Sequence, residues 1–139
     1  MRVEKILDFL VDTSAIVAFT VRSEVHHQAA KQFFQNYNQT KWVVLSTIFN
    51  ETVTWHRTKI SPIASVEIGK ALREEHHYIH LSAAEDEAVW QAFCSYKDKS
   101  WSYTDCSLLV MSQKLEIPNI ISFDKHIRQM AGLGVICLP

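Results

Sequence analysis

The fold of this chain is decided by a short apolar run that ends in an acid: residues 6–12 read ILDFLVD. A second run of the same kind, residues 119–124, reads NIISFD. Both runs have the length and composition of buried strands, so we predict parallel β-strands that end at Asp12 and Asp124. Because the carboxyl ends of parallel strands meet at one edge of a sheet, these two carboxylates are expected to lie close together.

Strand-like and helix-like segments alternate along the rest of the chain, which predicts an α/β fold with a central, mostly parallel sheet flanked by helices. The predicted strands are residues 6–11, 42–45, 78–81, 118–123 and 135–138. The predicted helices are residues 24–37, 46–58, 63–75, 83–96 and 103–115, with short helices after Ser14 and from Asp124. A length of 139 residues suits one domain with its own core, so we expect residues 1–139 to form a single domain.

Composition sets only broad limits on function. The formal net charge is −1, which neither indicates nor excludes a nucleic-acid partner. The three cysteines are far apart and lack metal-site spacing, so we expect reduced thiols and a cytoplasmic protein. We predict neither a signal peptide nor a membrane span, because acids interrupt the apolar residues at the start of the chain.

Four acids in this pattern predict a metal site: Asp12, Glu51, Asp105 and Asp124. Asp105 lies at the start of a helix that is apolar nearly all round, and Glu51 lies one turn into its helix at the border of the apolar face. Carboxylates held close together repel one another and are stable together when they share protons or bind a cation. Oxygen ligands favour Mg²⁺ or Mn²⁺.

Each acid also has a simpler interpretation. Asp12 fits a turn and Asp124 fits a helix cap, and the spacing Ser102-x-x-Asp105 is that of a capping box. A single site is nevertheless the more economical explanation, because all four acids fall at strand ends or helix starts.

Four sequence blocks built on these acids resemble the signature blocks of the PIN-domain nucleases, in particular the VapC-type toxins of toxin-antitoxin systems. The blocks are residues 11–15 (VDTSA), Glu51 in its helix, residues 104–106 (TDC) and residues 122–126 (SFDKH). Residues 27–30 (HQAA) and the closing residues 132–135 (GLGV) resemble further parts of the family pattern. The chain departs from the pattern at Cys106, where the family commonly has alanine.

The resemblance implies a three-layer PIN-like fold and a metal-dependent endoribonuclease with Mg²⁺ or Mn²⁺ as cofactor. Asp12, Asp105 and Asp124 would ligate metal directly, Glu51 would hold a second ion or a metal-bound water, and Ser14 and Ser122 would be supporting hydroxyls. Since a bound cation activates water, no side-chain nucleophile is needed. The resemblance also implies an RNA substrate, an antitoxin protein as partner, and a homodimer.

Weaker patterns concern RNA contact. Bases and aromatic rings alternate just before Asp105, a pattern typical of single-strand binding, in which cations contact phosphate and rings stack on bases. These candidate RNA contacts are Lys97, Lys99, Trp101 and Tyr103, with Lys125 beside Asp124. Such a loop is also typical of plain solvated surface. A zinc site at His76, His77 and His80 is disfavoured, because no carboxylate of matching spacing accompanies them.

Two interpretations from other classes stay open. One is a catalytically silent PIN module that holds RNA or protein. The other is a phosphoaspartate domain of the receiver or haloacid-dehalogenase kind with Asp12 as acceptor. The sequence disfavours the second, because Ser14 stands where the dehalogenase pattern has an acid.

Overall fold

A computed structural model describes residues 7–139 and shows five short strands alternating with helices. The strands are β1 Leu10–Val11, β2 Val43–Leu45, β3 His77–Ile79, β4 Asn119–Ile121 and β5 Ile136–Leu138. The helices are α1 Thr13–Thr20, α2 His27–Asn36, α3 Ser46–Lys59, α4 Pro62–Glu74, α5 Ala83–Ser95, α6 Tyr103–Leu115 and α7 Lys125–Arg128. A 3₁₀ turn, Ala131–Leu133, precedes β5.

The strands form one sheet in the order β3-β2-β1-β4-β5, and each pairing is parallel. In the centre of the sheet, Leu10 of β1 is in register with Val43 of β2 on one side and Ile120 of β4 on the other. The α/β fold predicted from the sequence, with helices on a parallel sheet, is confirmed. No helix in the part of the chain that the structure describes is long and apolar enough to cross a membrane.

The core lies against the central strands, whose side chains are almost completely buried. An aromatic cluster extends this core, with Phe9 packed edge-on against Phe33 at 5.6 Å between ring centroids and Phe34 packed against Trp42 at 4.5 Å. Such pairs add about 0.5 to 1.5 kcal/mol each beyond the burial of their area. Phe33 and Phe34 are therefore part of the core, and Tyr37 packs against it. Helix α6 is buried along most of its length, as its composition predicts.

Helix boundaries agree with prediction better than strand boundaries do. Helix α6 covers the predicted residues 103–115, whereas β1 is shorter than the predicted 6–11, of which residue 6 lies outside the described part. Helix α2 begins at His27 rather than at residue 24, because residues 21–27 form turns whose backbone bonds run from Glu24 to Val21 and from His27 to Glu24. Strand β3 is shifted one to two residues towards the N-terminus from the predicted 78–81.

Candidate active site

The sheet order brings the acids to one edge. From β1 the chain builds one side of the sheet through β2 and β3, and then returns to β4 and β5 on the other side. Such a switch leaves a crevice outside the carboxyl ends of the two central strands. Asp12 directly follows β1, and Ser122 and Asp124 follow β4. One cleft at this position is lined by all four acids selected from the sequence: Asp12, Glu51, Asp105 and Asp124.

Asp12 is the most enclosed of these groups, with 4% of its surface exposed. Its Oδ1 accepts the backbone N–H of Thr13 at 2.8 Å. Its Oδ2 accepts the hydroxyls of Ser14 at 3.0 Å and Ser122 at 2.6 Å. The two serines selected from the sequence therefore both contact this one carboxylate.

The direction of both serine hydroxyls follows from their other partners. Ser14 Oγ accepts the backbone N–H of Phe123, and Ser122 Oγ accepts the backbone N–H of Asp124, each at 3.0 Å. Since these oxygens accept from the turn after β4, their own hydrogens are free to point at Asp12. The turn after β4 and the end of β1 are thus connected by hydrogen bonds through the two serines and the buried Asp12 carboxylate.

Burial raises the pKa of Asp12 from 3.8 to about 6. The hydroxyls of Ser122 and Ser14 act in the opposite direction, because they stabilise the charged form. The negative charges of Asp105 and Asp124 add to the effect of burial. A cation in the cleft would therefore offset both the cost of burying the charged Asp12 and its repulsion by Asp105 and Asp124.

Asp105 and Asp124 each cap a helix while facing the same cleft. Asp105, 5% exposed, forms the predicted capping box: its Oδ2 accepts the N–H of Ser102 at 2.9 Å, and its own N–H donates to Ser102 Oγ at 3.0 Å. Asp124 is half-buried, and its Oδ1 accepts the N–H of His126 at 2.9 Å at the start of α7. Asp105 and Asp124 therefore each take part in capping a helix and also line the shared cleft.

His126 joins these two acids. Its Nδ1 lies 3.2 Å from Asp105 Oδ2 and 3.6 Å from Asp124 Oδ1. Donor atoms of these three residues lie within 4.8 Å of one another. No role was predicted for His126 from the sequence, although it lies in the block SFDKH, two residues after the strand-end acid Asp124.

Glu51 enters the cleft from a different direction. It lies on α3, is exposed, and lines the cleft together with Trp55 of the next turn. Its carboxylate has no hydrogen bond or ion pair with the residues that the structure describes, whereas the other three acids are held by such contacts. Glu51 is therefore the most freely placed acid of the four.

The rim of the cleft contains an aromatic pair that sequence reasoning missed. The ring of His26 stacks on Phe123 with 4.6 Å between centroids and 6° between planes. His26 is exposed and Phe123 half-buried, and both line the cleft. No spacing rule connects residues 97 positions apart, so only the fold shows this pair.

The aromatic residues expected to contact RNA are placed differently from the prediction. Trp101 is 5% exposed, packs on Tyr96, and donates its indole N–H to Gln129 at 2.8 Å. The Tyr103 hydroxyl donates to Asp86 on α5. The prediction that a base stacks on the Trp101 ring is therefore wrong, because this ring is buried in the core.

The basic residues of that prediction do lie at the surface. Lys97, Lys99 and Lys125 are exposed, and Lys99 Nζ is 3.8 Å from the exposed carboxylate of Asp98. The cleft itself is lined on this side by Ser100 and Ser102 of the same loop. The histidines near β3 do not form a metal cluster within the described residues, where His76 stacks on Trp42 at 4.3 Å.

The donor set fits a divalent cation. Donor atoms within 4.8 Å of one another come from Asp105, which is almost fully buried, and from the half-buried Asp124 and His126. Asp12 and Glu51 line the same cleft but are not part of this group. Carboxylate oxygens suit Mg²⁺ and Mn²⁺, and a cation offsets the burial of negative charge.

Comparison with known proteins gives a consistent result. The model of the PIN domain family matches residues 9–133. One solved structure with a similar fold is VapC20 of Mycobacterium tuberculosis, described as a toxin that cleaves the Sarcin-Ricin loop; it is 20% identical, with 93% of this chain and 97% of that chain covered and a TM-score of 0.80. Among curated proteins, no significant match was found.

Proposed function

This chain belongs to the PIN domain family, and from that membership and the geometry of the cleft we propose that it is a metal-dependent endoribonuclease, the toxin of a toxin-antitoxin pair. The observation that carries the proposal is the convergence of Asp12, Glu51, Asp105 and Asp124 on one cleft at the sheet's switch point. The similar fold of an RNA-cleaving toxin supports the choice of RNA as substrate.

In this proposal Asp12, Asp105 and Asp124 ligate Mg²⁺ or Mn²⁺ directly. Glu51, which is exposed and free of contacts with described residues, holds a second ion or orients the attacking water. A bound divalent ion supplies an activated water as nucleophile and offsets the negative charge that develops on the phosphoryl oxygens.

The remaining residues position these ligands. Ser14 and Ser122 fix the orientation of the Asp12 carboxylate by donating to its Oδ2. Ser102 fixes Asp105 through the capping box. Ser14 and Ser122 both donate their hydroxyl hydrogens to the Asp12 carboxylate, so neither is arranged as a nucleophile. The Cys106 thiol is buried in α6 and is not arranged as one either. The chemistry therefore needs no covalent intermediate with the protein.

We propose that the exposed bases Lys97, Lys99 and Lys125 contact RNA phosphates, since cations beside an acidic centre offset the repulsion between the centre and the backbone. We further propose that residues 1–139 are one domain, that the protein acts in the cytoplasm, and that it pairs with a second copy and with an antitoxin. The extent of the family match supports the single domain, and the fold similarity to a toxin supports the partners.

Cleavage of RNA by purified variants tests this proposal. Asp12→Asn and Asp124→Asn should each abolish cleavage in Mn²⁺ or Mg²⁺ while native circular dichroism is kept, because each removes one charged ligand. Asp98→Asn is the matched control, since this exposed acid lies outside the cleft, and it should cleave like the wild type.

Two outcomes would contradict the proposal. Cleavage that persists in excess chelator would exclude the metal-dependent mechanism. RNA binding without cleavage, unaffected by chelator, would favour a silent RNA-holding module instead.

A further inference from the structure

His126 brings a nitrogen donor to a site that is otherwise made of carboxylates. Its Nδ1 lies 3.2 Å from Asp105 Oδ2 and 3.6 Å from Asp124 Oδ1. When metal-ligand bonds are about 2.1 Å long and at right angles, neighbouring ligand atoms lie about 3 Å apart. The two distances from Nδ1 are therefore close to those between neighbouring ligands of one ion, and all three donor atoms lie within 4.8 Å of one another.

The backbone holds the imidazole in this place. Asp124 is the N-cap of α7, and its Oδ1 accepts the N–H of His126. The same turn thus orients the carboxylate and the histidine two residues later. The His126 side chain is only 24% exposed, which restricts its rotamers. The site is preorganised for a nitrogen as well as for oxygens.

We propose that His126 ligates the metal ion directly together with Asp105 and Asp124, and that this nitrogen makes the site select Mn²⁺ over Mg²⁺. Mn²⁺ is the weakest binder of the first-row transition ions but still accepts an imidazole nitrogen more readily than Mg²⁺, which takes carboxylates and water. This inference rests on the proposed function, which supplies the metal centre, and adds both a ligand and a preference to it.

The competing role is a positioning one, in which the imidazole donates a hydrogen bond to Asp105 and never touches the ion. His126→Gln separates the two roles, because glutamine keeps an N–H donor and lacks the imidazole nitrogen. The matched control is His26→Gln. His26 lines the same cleft, but its ring stacks on Phe123 and forms no ion pair with a described carboxylate.

The experiment uses Mn²⁺ alone as the probe. Pulsed electron paramagnetic resonance on the Mn²⁺-loaded wild type should show coupling to a directly bound imidazole ¹⁴N. This signal should change to that of ¹⁵N when histidine is isotopically labelled, and it should persist in His26→Gln. His126→Gln should lose it and should raise the Mn²⁺ Kd roughly 10- to 100-fold, with a much smaller change for Mg²⁺.

The results distinguish failure of this inference from failure of the proposed function. Mn²⁺ that binds without nitrogen coupling, or coupling that persists in His126→Gln, overturns the role of His126 and leaves the carboxylate centre intact. Absence of Mn²⁺ binding to the wild type overturns both. The labelled wild type decides the question even where the variant folds poorly.

Discussion

At the scale of single residues, Asp12 shows what a buried acid requires. Burial disfavours its charged form, the hydroxyls of Ser122 and Ser14 favour that form, and the neighbouring acids disfavour it again. Because its pKa rises to about 6, burial outweighs the two hydrogen bonds. The protein therefore retains at this position a group that weakens the fold at neutral pH, which is expected of a residue kept for a functional site.

Asp12→Asn should remove a specific pH dependence of stability. The folded state has the higher pKa, about 6 against 3.8, so it binds more protons in that window and the free energy of unfolding falls as pH rises through it. At about 1.4 kcal/mol per pKa unit, the fall is about 3 kcal/mol. Urea unfolding from pH 4 to 7 in chelator should show this slope in the wild type and a flatter curve in Asp12→Asn. An identical slope in both proteins would contradict the buried, raised pKa.

Residues 97–103, which were predicted to contact RNA, show what a linear pattern leaves undetermined. Alternation of lysine and aromatic residues predicts one surface that carries both, and the lysines are indeed exposed. Trp101, however, faces the core, where its N–H has a partner in Gln129. Sequence spacing does not indicate which side of a loop faces the protein, so the ring's orientation could not be predicted.

At the scale of elements, three of the acids that line the cleft also lie at the starts of helices. Asp12 caps α1, Asp124 caps α7, and Asp105 is in the capping box of α6. The capping oxygens Asp105 Oδ2 and Asp124 Oδ1 are also the ones paired with His126, and each keeps a second lone pair, so these carboxylates can cap and ligate at once. The partial positive charge at the three helix starts also favours negative charge there. The capping interpretation of Asp105 and Asp124 is correct, whereas Asp12, expected in a turn before a helix that follows Ser14, is the N-cap of α1, which begins at Thr13.

Ser122→Ala tests whether the hydroxyls serve the site and not only the fold. It removes the bond to Asp12 and the acceptor for the Asp124 N–H, so we expect a loss of about 1 to 2 kcal/mol in unfolding free energy. Because Asp12 loses a positioning contact, the Mn²⁺ Kd should rise roughly 10- to 100-fold. Calorimetry with and without Mn²⁺ measures both quantities.

Ser82→Ala is the matched control for that variant. Ser82 Oγ, like Ser122 Oγ, accepts a backbone N–H, here that of Glu85 at the start of α5, but Ser82 does not line the cleft. It should cost about 1 kcal/mol in stability while leaving the Mn²⁺ Kd unchanged. Equal effects of the two variants on Mn²⁺ binding would mean that the Ser122 hydroxyl acts only through stability.

Helix starts with a serine cap could be predicted closely because their signals are local, whereas α2, which has no side-chain cap, begins three residues later than predicted. Ser82 and Ser102 each cap the helix predicted to follow them, through contacts within three residues. Strand ends depend on partners distant in sequence, so β3 lies one to two residues away from its predicted place and pairs with β2 from His77 onward. The length of a strand is set by its neighbours in the sheet.

At the scale of the whole molecule, the order of strands assembles the cleft. Asp12 and Asp124 could be placed together from the sequence, since both follow buried strands that the α/β pattern makes parallel. The place of Glu51 depends on how α3 is inclined to the sheet, and it was expected only from its position at the border of the apolar face and from the family resemblance. The place of His126 depends likewise on α7, and no role was predicted for it from the sequence.

Expression in cells tests the toxin role at this scale. Induction of the wild-type gene without a partner should arrest growth, because uninhibited cleavage of RNA stops protein synthesis. Asp105→Asn should relieve the arrest, and Asp98→Asn, a neutralised acid outside the cleft, should not. The double variant Lys97→Ala, Lys99→Ala should relieve it in part, since fewer phosphate contacts weaken RNA binding without removing a metal ligand.

Growth curves compared at equal protein level, measured by immunoblot, provide the readout. Normal growth with abundant, folded wild-type protein would argue against a toxin, whereas arrest that persists in Asp105→Asn would separate toxicity from the acidic centre. Full arrest by the lysine double variant would place the RNA path away from residues 97–99. In that case the exposed face of the His26 and Phe123 pair, which lines the same cleft, is where the RNA should be sought next.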